Sequence, residues 1–282
     1  MLSTSKYCES LVRDGDKDRY LATLFAPADR RDALYALYAF NLEILNISER
    51  VREPLAGDIR LQWWRDVIEG QRREEAAGHP VAGVLCDAMR RYALPPHLFE
   101  ALLEARRHDV NGEPIVRLDD FESYVSDTSA TLVELAARIL VPEGEDADFA
   151  FVKPAGLCIG ITHVLRALGT HAARGDLLLP GELLARHDVE PHDVLTGKSS
   201  TGLIAALTDL RTRAASHYAA AQELIDSAPS AAAPAWLPVA LVPVYLKALD
   251  RHRDAPFSIV EVPQWRRQWS LWRAARASGT RS

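Results

Sequence analysis

The stretch Ile161–Pro180, with the sequence ITHVLRALGTHAARGDLLLP, constrains the fold more than any other part of the chain. Its first half has helical spacing, and Gly175 stands where a helix is expected to end. The apolar row of this helix is Leu157, Ile161, Leu165 and Leu168. The opposite face, at steps of four, four and three positions, carries His163, Ala167, His171 and Arg174. Because residues three or four apart lie on one side of a helix, these four side chains are predicted to project together.

A second stretch, Tyr35–Arg52, has a matching pattern. Its sequence is YALYAFNLEILNISERVR. The stripe that corresponds to the polar face above consists of Tyr38, Leu42, Leu45 and Glu49, with Asn46 beside it. The chain therefore contains two helices with comparable stripes.

The spaced pattern TxxLRxxGxxxxRGxxxLP resembles the second signature of the squalene/phytoene synthase family. It is formed by Thr162, Leu165, Arg166, Gly169, Arg174, Gly175, Leu179 and Pro180. YALYAF, at 35–40, is similar to the lead-in to the family's first signature. Weaker echoes are RLQWWRD at 60–66, RRHDV at 106–110, the helix from Phe121, and VPQWRRQW at 262–269. The resemblance covers nearly the whole chain and implies an all-α, single-domain bundle of the trans-isoprenyl diphosphate synthase type around a central cavity.

Catalytic members of this family hold Mg²⁺ ions between two aspartate-rich motifs, and the ions clamp the substrate diphosphate. By the resemblance, the first motif falls on Leu45, Asn46 and Glu49, and the second falls on Ala167 and His171. Mg²⁺ requires hard oxygen ligands, normally with carboxylates among them. One carboxylate, Glu49, survives at these positions. We therefore expect no bound metal and no cofactor, and Mg²⁺ only if the chain is an active transferase.

Further family positions have changed. A family Asn that helps to hold the metal has become His163. Two cationic positions that face the diphosphate fall on Leu42 and on Asp176, whose charge would repel a phosphate. Tyr38 and Arg166 are retained.

Several polar residues allow more than one interpretation. His163 and His171 could be metal ligands or polar side chains of the cavity wall, but eight helical residues separate their Cα atoms by about 12 Å, too far to share one ion. Glu49 could bind Mg²⁺, pair with His171 or Arg174 on the opposing helix, or lie in solvent. Asp109 resembles a retained family position but could equally belong to an exposed, charged helix end.

Composition bounds the class of protein. The 282 residues (31.2 kDa) are 48% hydrophobic, which suffices for a sizeable core. A net charge of −6 gives no electrostatic reason to expect nucleic acid as a partner. Cys8, Cys86 and Cys158 are odd in number and far apart, which is typical of free thiols in a reducing compartment. No secretory signal precedes the helices, so a cytoplasmic location is expected.

The remainder is predicted to be helical and to form one domain over 1–282, because strand-type alternation, linkers and internal repeats are missing. Ser227–Leu246 has the length of a membrane span and contains no charged residue. Four prolines interrupt it, and each removes a backbone hydrogen bond that lipid cannot replace. We favour a loop followed by a buried helix from about Pro234.

The C-terminal segment 263–277 is predicted to be a Trp/Arg helix, with Pro263 in its first turn. Trp265, Trp269 and Trp272 share one face. The other faces carry Arg266, Arg267, Arg273 and Arg276, and no acid follows Glu261. This pattern suggests a helix on an anionic membrane or a partner surface. In the alternative, the tryptophans pack on the domain and the arginines lie in solvent. The resemblance of VPQWRRQW to a family element that closes the helical domain favours this alternative. The two are compatible if the helix packs with one edge exposed.

Three functional interpretations follow. FNLEILNISE resembles the first signature of a degenerate branch of the family that acts in assembly of respiratory complex I. This implies a non-catalytic role in assembling NADH dehydrogenase, with complex I subunits or assembly intermediates as partners, at the cytoplasmic face of the inner membrane. The second interpretation is an active prenyltransferase that joins two prenyl diphosphates. The third is a protein that binds a prenyl chain, quinone or other lipid in a cavity that is apolar at Leu42, Leu45 and Ala167. Losing one well-placed electrostatic group commonly costs about 10²–10³-fold in rate, so loss on both walls disfavours the transferase.

Overall fold

The computed structural model describes the backbone of residues 4–50, 53–142 and 148–279, and the side chains of these residues except 49, 50 and 279. Every regular element in these ranges is helical, which confirms the all-α prediction. The side chain of Glu49, and with it the expected contact between Glu49 and His171, lies outside the described residues.

The first half of the chain is built around one central helix. Its helices are α1 (Thr4–Gly15), α2 (Lys17–Thr23), α3 (Ala28–Arg50), α4 (Pro54–Ile68), α5 (Arg73–Gly78), α6 (Ala82–Arg91) and α7 (Pro96–Asn111). All seven side chains from Leu34 to Phe40 are buried. A helix that is apolar on every face is expected inside a bundle. Accordingly α3 is surrounded by α1, α2, α4, α6 and α7.

The second half adds ten helices within the described ranges. They are α8 (Leu118–Val125), α9 (Thr131–Leu140), α10 (Val152–Arg166), α11 (Leu168–Arg174), α12 (Gly181–Arg186), α13 (Pro191–Leu195), α14 (Thr201–Ile225), α15 (Ala233–Trp236), α16 (Val242–Arg251) and α17 (Gln264–Gly279). A π-helical turn, Ser126–Ala130, joins α8 to α9 without a break. Two 3₁₀ turns, Ser230–Ala232 and Leu237–Leu241, flank α15.

Helix α10 connects two apolar clusters. Ala155 and Cys158 pack in the larger cluster around α3, whereas Leu157 and Ile161 pack in a smaller one with α8 and α14. A Cβ atom at Gly156 would overlap the backbone of Ala130, so this glycine lets α10 approach the π turn closely. The close approach brings the second signature against the α8–α9 helix.

The apolar stretch near the C-terminus belongs largely to the core. Among the described residues, Ser230–Arg251 is long and apolar enough to cross a membrane, but 61% of its most apolar window is buried inside the domain. Prolines 234, 238 and 243 divide it into short helical pieces, and Pro234 lies in the first turn of α15 as expected. Burial in the core explains the composition of this stretch.

Candidate functional site: the central cavity

A cavity of about 580 Å³ lies between the helices that carry the two signatures. Its apolar wall is formed by Leu42, Leu45, Val125, Leu132, Ile159, Val164, Leu177, Leu178 and Leu195. The π turn contributes Thr128 and Ser129, and π turns inside α-helices are frequent at functional sites. Charged side chains, most of them on α2, α7, α10, α11 and α17, also line the cavity.

Asp16 begins α2 and binds Arg19. Its carboxylate accepts hydrogen bonds from the Arg19 backbone N–H at 3.0 Å and from the Arg19 guanidinium at 2.6 Å. Burial alone would raise the pKa of Asp16, but the Arg19 charge and these hydrogen bonds outweigh burial and lower it. Arg19 also lies 5.6 Å from the centre of the Tyr38 ring. The N-terminal end of α2 is thereby fixed against α3.

Asp18 lies at the centre of a second group, which we term the Asp18 cluster (Asp18, Arg166, Tyr245 and Arg267). Its carboxylate accepts hydrogen bonds from the Tyr245 hydroxyl at 2.6 Å and from Arg267 at 3.2 Å, and pairs with Arg166 at 3.5 Å. The Arg166 guanidinium stacks over the Tyr245 ring, 3.6 Å from its centre. The cluster joins α2 to α10, α16 and α17.

A third group connects α7 to α8. The Arg106 guanidinium donates to Asp109 at 2.9 Å and to the Tyr124 hydroxyl at 3.2 Å, and that hydroxyl donates to Asp109 at 3.1 Å. Arg106 is buried, whereas the side chain of Arg107 is 51% exposed. Arg106 and Asp109 therefore line the cavity, and only Arg107 matches the exposed charged helix end.

His163 carries an unusually acidic imidazolium. Its pKa is lowered to about 4, first because the surrounding protein desolvates the ring and then because Arg166 lies nearby. The His163 side chain retains solvent-accessible surface, which faces the cavity. At neutral pH His163 is a neutral donor or acceptor on the cavity wall.

The structure brings most of the predicted motif positions together. Those that line the cavity are Leu42, Leu45, His163, Arg166, His171, Arg174 and Asp176. Tyr38 is buried beside Arg19, and Asn46 is half-buried outside the lining.

The single polar face expected over His163, Ala167, His171 and Arg174 needs one correction. The helix is interrupted at Ala167 (φ −90°, ψ 2°), and this half-buried residue is not part of the lining. The interruption accompanies a close contact, because a Cβ atom at Gly169 would overlap the Phe257 carbonyl. Helix α11 then ends at Gly175, which has φ 84° as a C-terminal glycine should.

The C-terminal helix differs in part from expectation. Trp265, Trp269 and Trp272 are 63%, 57% and 40% exposed, so the favoured expectation that they are buried on the domain is wrong, and the helix packs with its tryptophan edge exposed. Arg266, Arg273 and Arg276 are exposed as well. Arg267 is the exception among the predicted contact residues. Its side chain is only 15% exposed and belongs to the Asp18 cluster, because it lies one position round the helix, on the buried side.

Sequence reasoning missed several polar residues of the site, among them Asp16, Asp18, Asn41 and Tyr245. The sequence DGDKDR at 14–19 contains a recoverable signal, because Asp followed by charged helix-forming residues is typical of a helix start. Asn41 is 6% exposed, and its side-chain oxygen has no hydrogen-bond partner among the residues that the structure describes. Nothing in the apolar run around Asn41 and Tyr245 signalled a shared site.

No three His, Cys, Asp or Glu side chains come together in a metal-binding arrangement within the part of the chain that the structure describes. Three carboxylates of the lining, Asp16, Asp18 and Asp109, are instead close to cations. The polar chemistry of this cavity is dominated by pairs between carboxylates and guanidinium groups.

The helical bundle and its central cavity define a protein of the isoprenoid synthase fold. A dehydrosqualene synthase crystal structure superposes with a TM-score of 0.81 over 98% of this chain and 97% of that one, at 19% identity. The squalene/phytoene synthase family model matches residues 12–273. The chain belongs to the squalene/phytoene synthase family.

Relatives of this chain include both a complex I assembly factor and a phytoene synthase. The chain is 29% identical to bovine (Bos taurus) NADH dehydrogenase (ubiquinone) complex I, assembly factor 6, over 88% of this chain and 74% of that protein. It is 25% identical to the phytoene synthase of Arthrospira platensis, over 94% of this chain and 90% of that enzyme. Membership of the family is therefore compatible with an assembly role and with catalysis.

Proposed function

We propose that this protein is a non-catalytic squalene/phytoene-synthase-like protein that acts in assembly of respiratory complex I (NADH dehydrogenase). Its partners would be complex I subunits or assembly intermediates, and its location the cytoplasmic face of the inner membrane. The assembly role rests on similarity to assembly factor 6 proteins from several animals and from Dictyostelium discoideum. The non-catalytic part rests on the cavity.

The observation that carries the proposal is the charge balance of the cavity. Its described lining contains six cationic side chains, Lys17, Arg19, Arg106, Arg166, Arg174 and Arg267. It also contains six carboxylates, Asp14, Asp16, Asp18, Asp109, Glu113 and Asp176. Counted without its histidines, the described part of this wall has no net charge. The retained Arg166 is bound to the protein's own Asp18. A diphosphate would have to displace that carboxylate.

Bound metal ions would not supply the missing positive charge, because the residues at the motif positions are poor Mg²⁺ ligands. A diphosphate leaving group carries about three negative charges, which must be neutralised as the allylic cation forms. At the motif positions Leu45 and Ala167 offer alkyl groups, and His171 offers a nitrogen where Mg²⁺ prefers oxygen. The donor set therefore does not fit the two metal clusters of a prenyl transferase, and we assign no step to Mg²⁺.

The non-catalytic part is tested with labelled farnesyl and geranylgeranyl diphosphate in the presence of Mg²⁺ or Mn²⁺. The Arthrospira platensis phytoene synthase, assayed in parallel, serves as the positive control. We expect pyrophosphate release by this protein to equal a control without protein. Turnover comparable to that of the relative would contradict the proposal.

The assembly part is tested by deleting the gene in its own organism. We expect less assembled NADH dehydrogenase on native gels and a lower NADH oxidation rate in isolated membranes, with both restored by the wild-type chain. A second respiratory dehydrogenase in the same membranes serves as the control. Unchanged NADH dehydrogenase in the deletion strain would contradict the assembly role.

A specific observation favours lipid binding as a second function. The apolar wall around Leu42 and Leu45 meets the unpartnered Asn41 oxygen, as suits a neutral prenyl or quinone-like lipid with a hydrogen-bonding head. Native mass spectrometry with an added short-chain quinone tests this. We expect Leu45→Trp, which fills the cavity, to abolish binding, and Leu55→Trp, at a site that is 71% exposed, to leave it intact. Equal binding by both variants would show that the lipid does not bind in the central cavity.

A further inference from the structure

The outer face of α17 has a composition unlike the rest of the surface. The helix packs on the domain through Leu271, which is fully buried, and through Arg267 in the Asp18 cluster. On the opposite side Trp265, Trp269 and Trp272 are exposed, whereas Trp64 and Trp236 elsewhere are buried. Because the inner side is anchored to the domain, the tryptophans of the outer side are held in fixed positions on the protein surface.

Arginines accompany the exposed indoles. Arg266 lies over the Trp265 ring at 5.2 Å, and Arg276 lies over the Trp272 ring at 4.9 Å. The rings of Trp269 and Trp272 stack at 5.0 Å. These contacts arrange the aromatic and cationic groups in one layer along the helix. We call this layer the Trp/Arg face: Trp265, Arg266, Trp269, Trp272, Arg273 and Arg276.

We infer that the Trp/Arg face binds the headgroup layer of an anionic lipid bilayer. Indoles prefer the membrane–water interface, where the ring is half in the apolar layer and its N–H remains in the polar layer. Each arginine near an anionic surface strengthens binding about fivefold, so the three outward arginines together contribute about 100-fold. No acidic residue follows Glu261 in the sequence, although the whole chain carries a net charge of −6. The segment after Glu261 is therefore basic although the chain as a whole is acidic.

The arginines favour a bilayer over a protein groove. Helices that dock into protein grooves present an apolar face with anchors at three- and four-residue spacing, whereas here exposed arginines accompany the tryptophans on the same face. Between Gln264 and Ser278 the exposed residues are Trp, Arg, Gln and Ala, and the one large aliphatic residue, Leu271, is buried in the domain. Such a face can lie shallowly among headgroups but offers no aliphatic ridge for a groove. Because Arg267 holds the inner side, the bilayer would lie about one helix diameter, ~10 Å, from the cavity lining.

Sedimentation with vesicles tests the inference. One set contains phosphatidylcholine alone, and the other contains one part phosphatidylglycerol to two parts phosphatidylcholine. We expect the full-length protein to bind only the anionic vesicles at low salt and to be released at about 1 M salt, where the Debye length is about 3 Å. Failure to bind anionic vesicles at low salt, or equal binding to both sets, overturns the proposal.

Matched variants distinguish binding by the Trp/Arg face from binding by the overall charge of the protein. Arg266→Gln/Arg273→Gln/Arg276→Gln should weaken binding about 100-fold. Arg90→Gln/Arg91→Gln/Arg107→Gln removes the same charge from exposed positions outside α17 and should change binding less than about twofold. Equal losses in both triple variants overturn the proposal. Near-identical thermal midpoints verify that both are folded.

A further arm addresses a protein ligand for the same face. If the wild type ignores vesicles but binds native membranes, and protease treatment of those membranes abolishes that binding, the face binds a protein and the lipid proposal is overturned. Vesicle binding is measured with the purified protein alone. It therefore stands or fails independently of the complex I assembly role.

Discussion

The two sides of α17 differ although both present arginine. On the inner side, Arg267 is paired with Asp18 and its side chain is 15% exposed. On the outer side, Arg266 and Arg276 lie over exposed tryptophan rings and face solvent. Arg266 and Arg267 are adjacent in the sequence, yet one is a surface cation and the other a structural cation. The difference shows that the partner and the burial of an arginine, and not its residue type, decide whether it stabilises the fold or is available at the surface.

Of the two sides of α17, the larger effect is expected on the inner side, at Asp18, which binds Arg267. Asp18→Ala removes the acceptor shared by Arg166, Arg267 and Tyr245 and leaves two half-buried guanidinium groups unpaired. We expect the free energy of unfolding to fall by about 2–3 kcal/mol, measured by urea denaturation. Asp14→Ala is the control, since its carboxylate is 72% exposed and should cost under about 0.5 kcal/mol. Equal losses in the two variants would show that the Asp18 cluster does not stabilise the fold.

The next effect compares the two arginine environments directly. Arg267→Met keeps the aliphatic stem but removes the charge that faces Asp18, and should lower the free energy of unfolding by about 2 kcal/mol. Arg273→Met, on the exposed outer side, should change it by less than about 0.5 kcal/mol. The same denaturation measurement serves both. A larger loss in Arg273→Met would reverse the assignment of inner and outer sides.

A smaller effect depends on pH at the cavity wall. The pKa of His163 falls from 6.5 to about 4 on folding, so between these values the unfolded chain binds a proton that the folded chain does not. This contribution to the free energy of unfolding therefore decreases as pH falls through that window. After allowance for screening by water in the cavity, we expect a loss of about 1 kcal/mol that His163→Gln removes. The surface variant His192→Gln should retain the wild-type pH dependence, and an identical profile in all three proteins would contradict the assignment.

The smallest expected effect is on the outer side. Trp265→Ser should change the free energy of unfolding by less than about 0.5 kcal/mol, because Trp265 is 63% exposed. Trp64→Ala, at 3% exposure in the core, should cost about 3–5 kcal/mol. Thermal unfolding followed by circular dichroism measures both. Strong destabilisation by the substitution on the outer side of α17 would mean that the exposed indole stabilises the fold and is not available for binding.

The sequence was sufficient for the fold and for the two walls of the cavity. The second signature is long, and its spacing is fixed by helix geometry, so Leu165, Arg166 and Gly175 identified the family and one wall together. The interruption at Ala167 was not predictable, because it accompanies a contact between Gly169 and Phe257, far away in the chain. Local patterns report local structure, and such contacts between distant segments have no local signature.

The sequence by itself determined that the chain is all-helical, that Tyr38, Leu42 and Arg166 belong to the family's signature helices, and that three tryptophans share one face of α17. Only the tertiary structure decided which way that face points and that Arg267 lies with the cavity. It also decided that Asp18 binds arginines 148 and 249 positions away. The physical reason is that helical periodicity fixes which side chains point together. Which of those sides is buried, and which charges meet, depends on how distant helices pack.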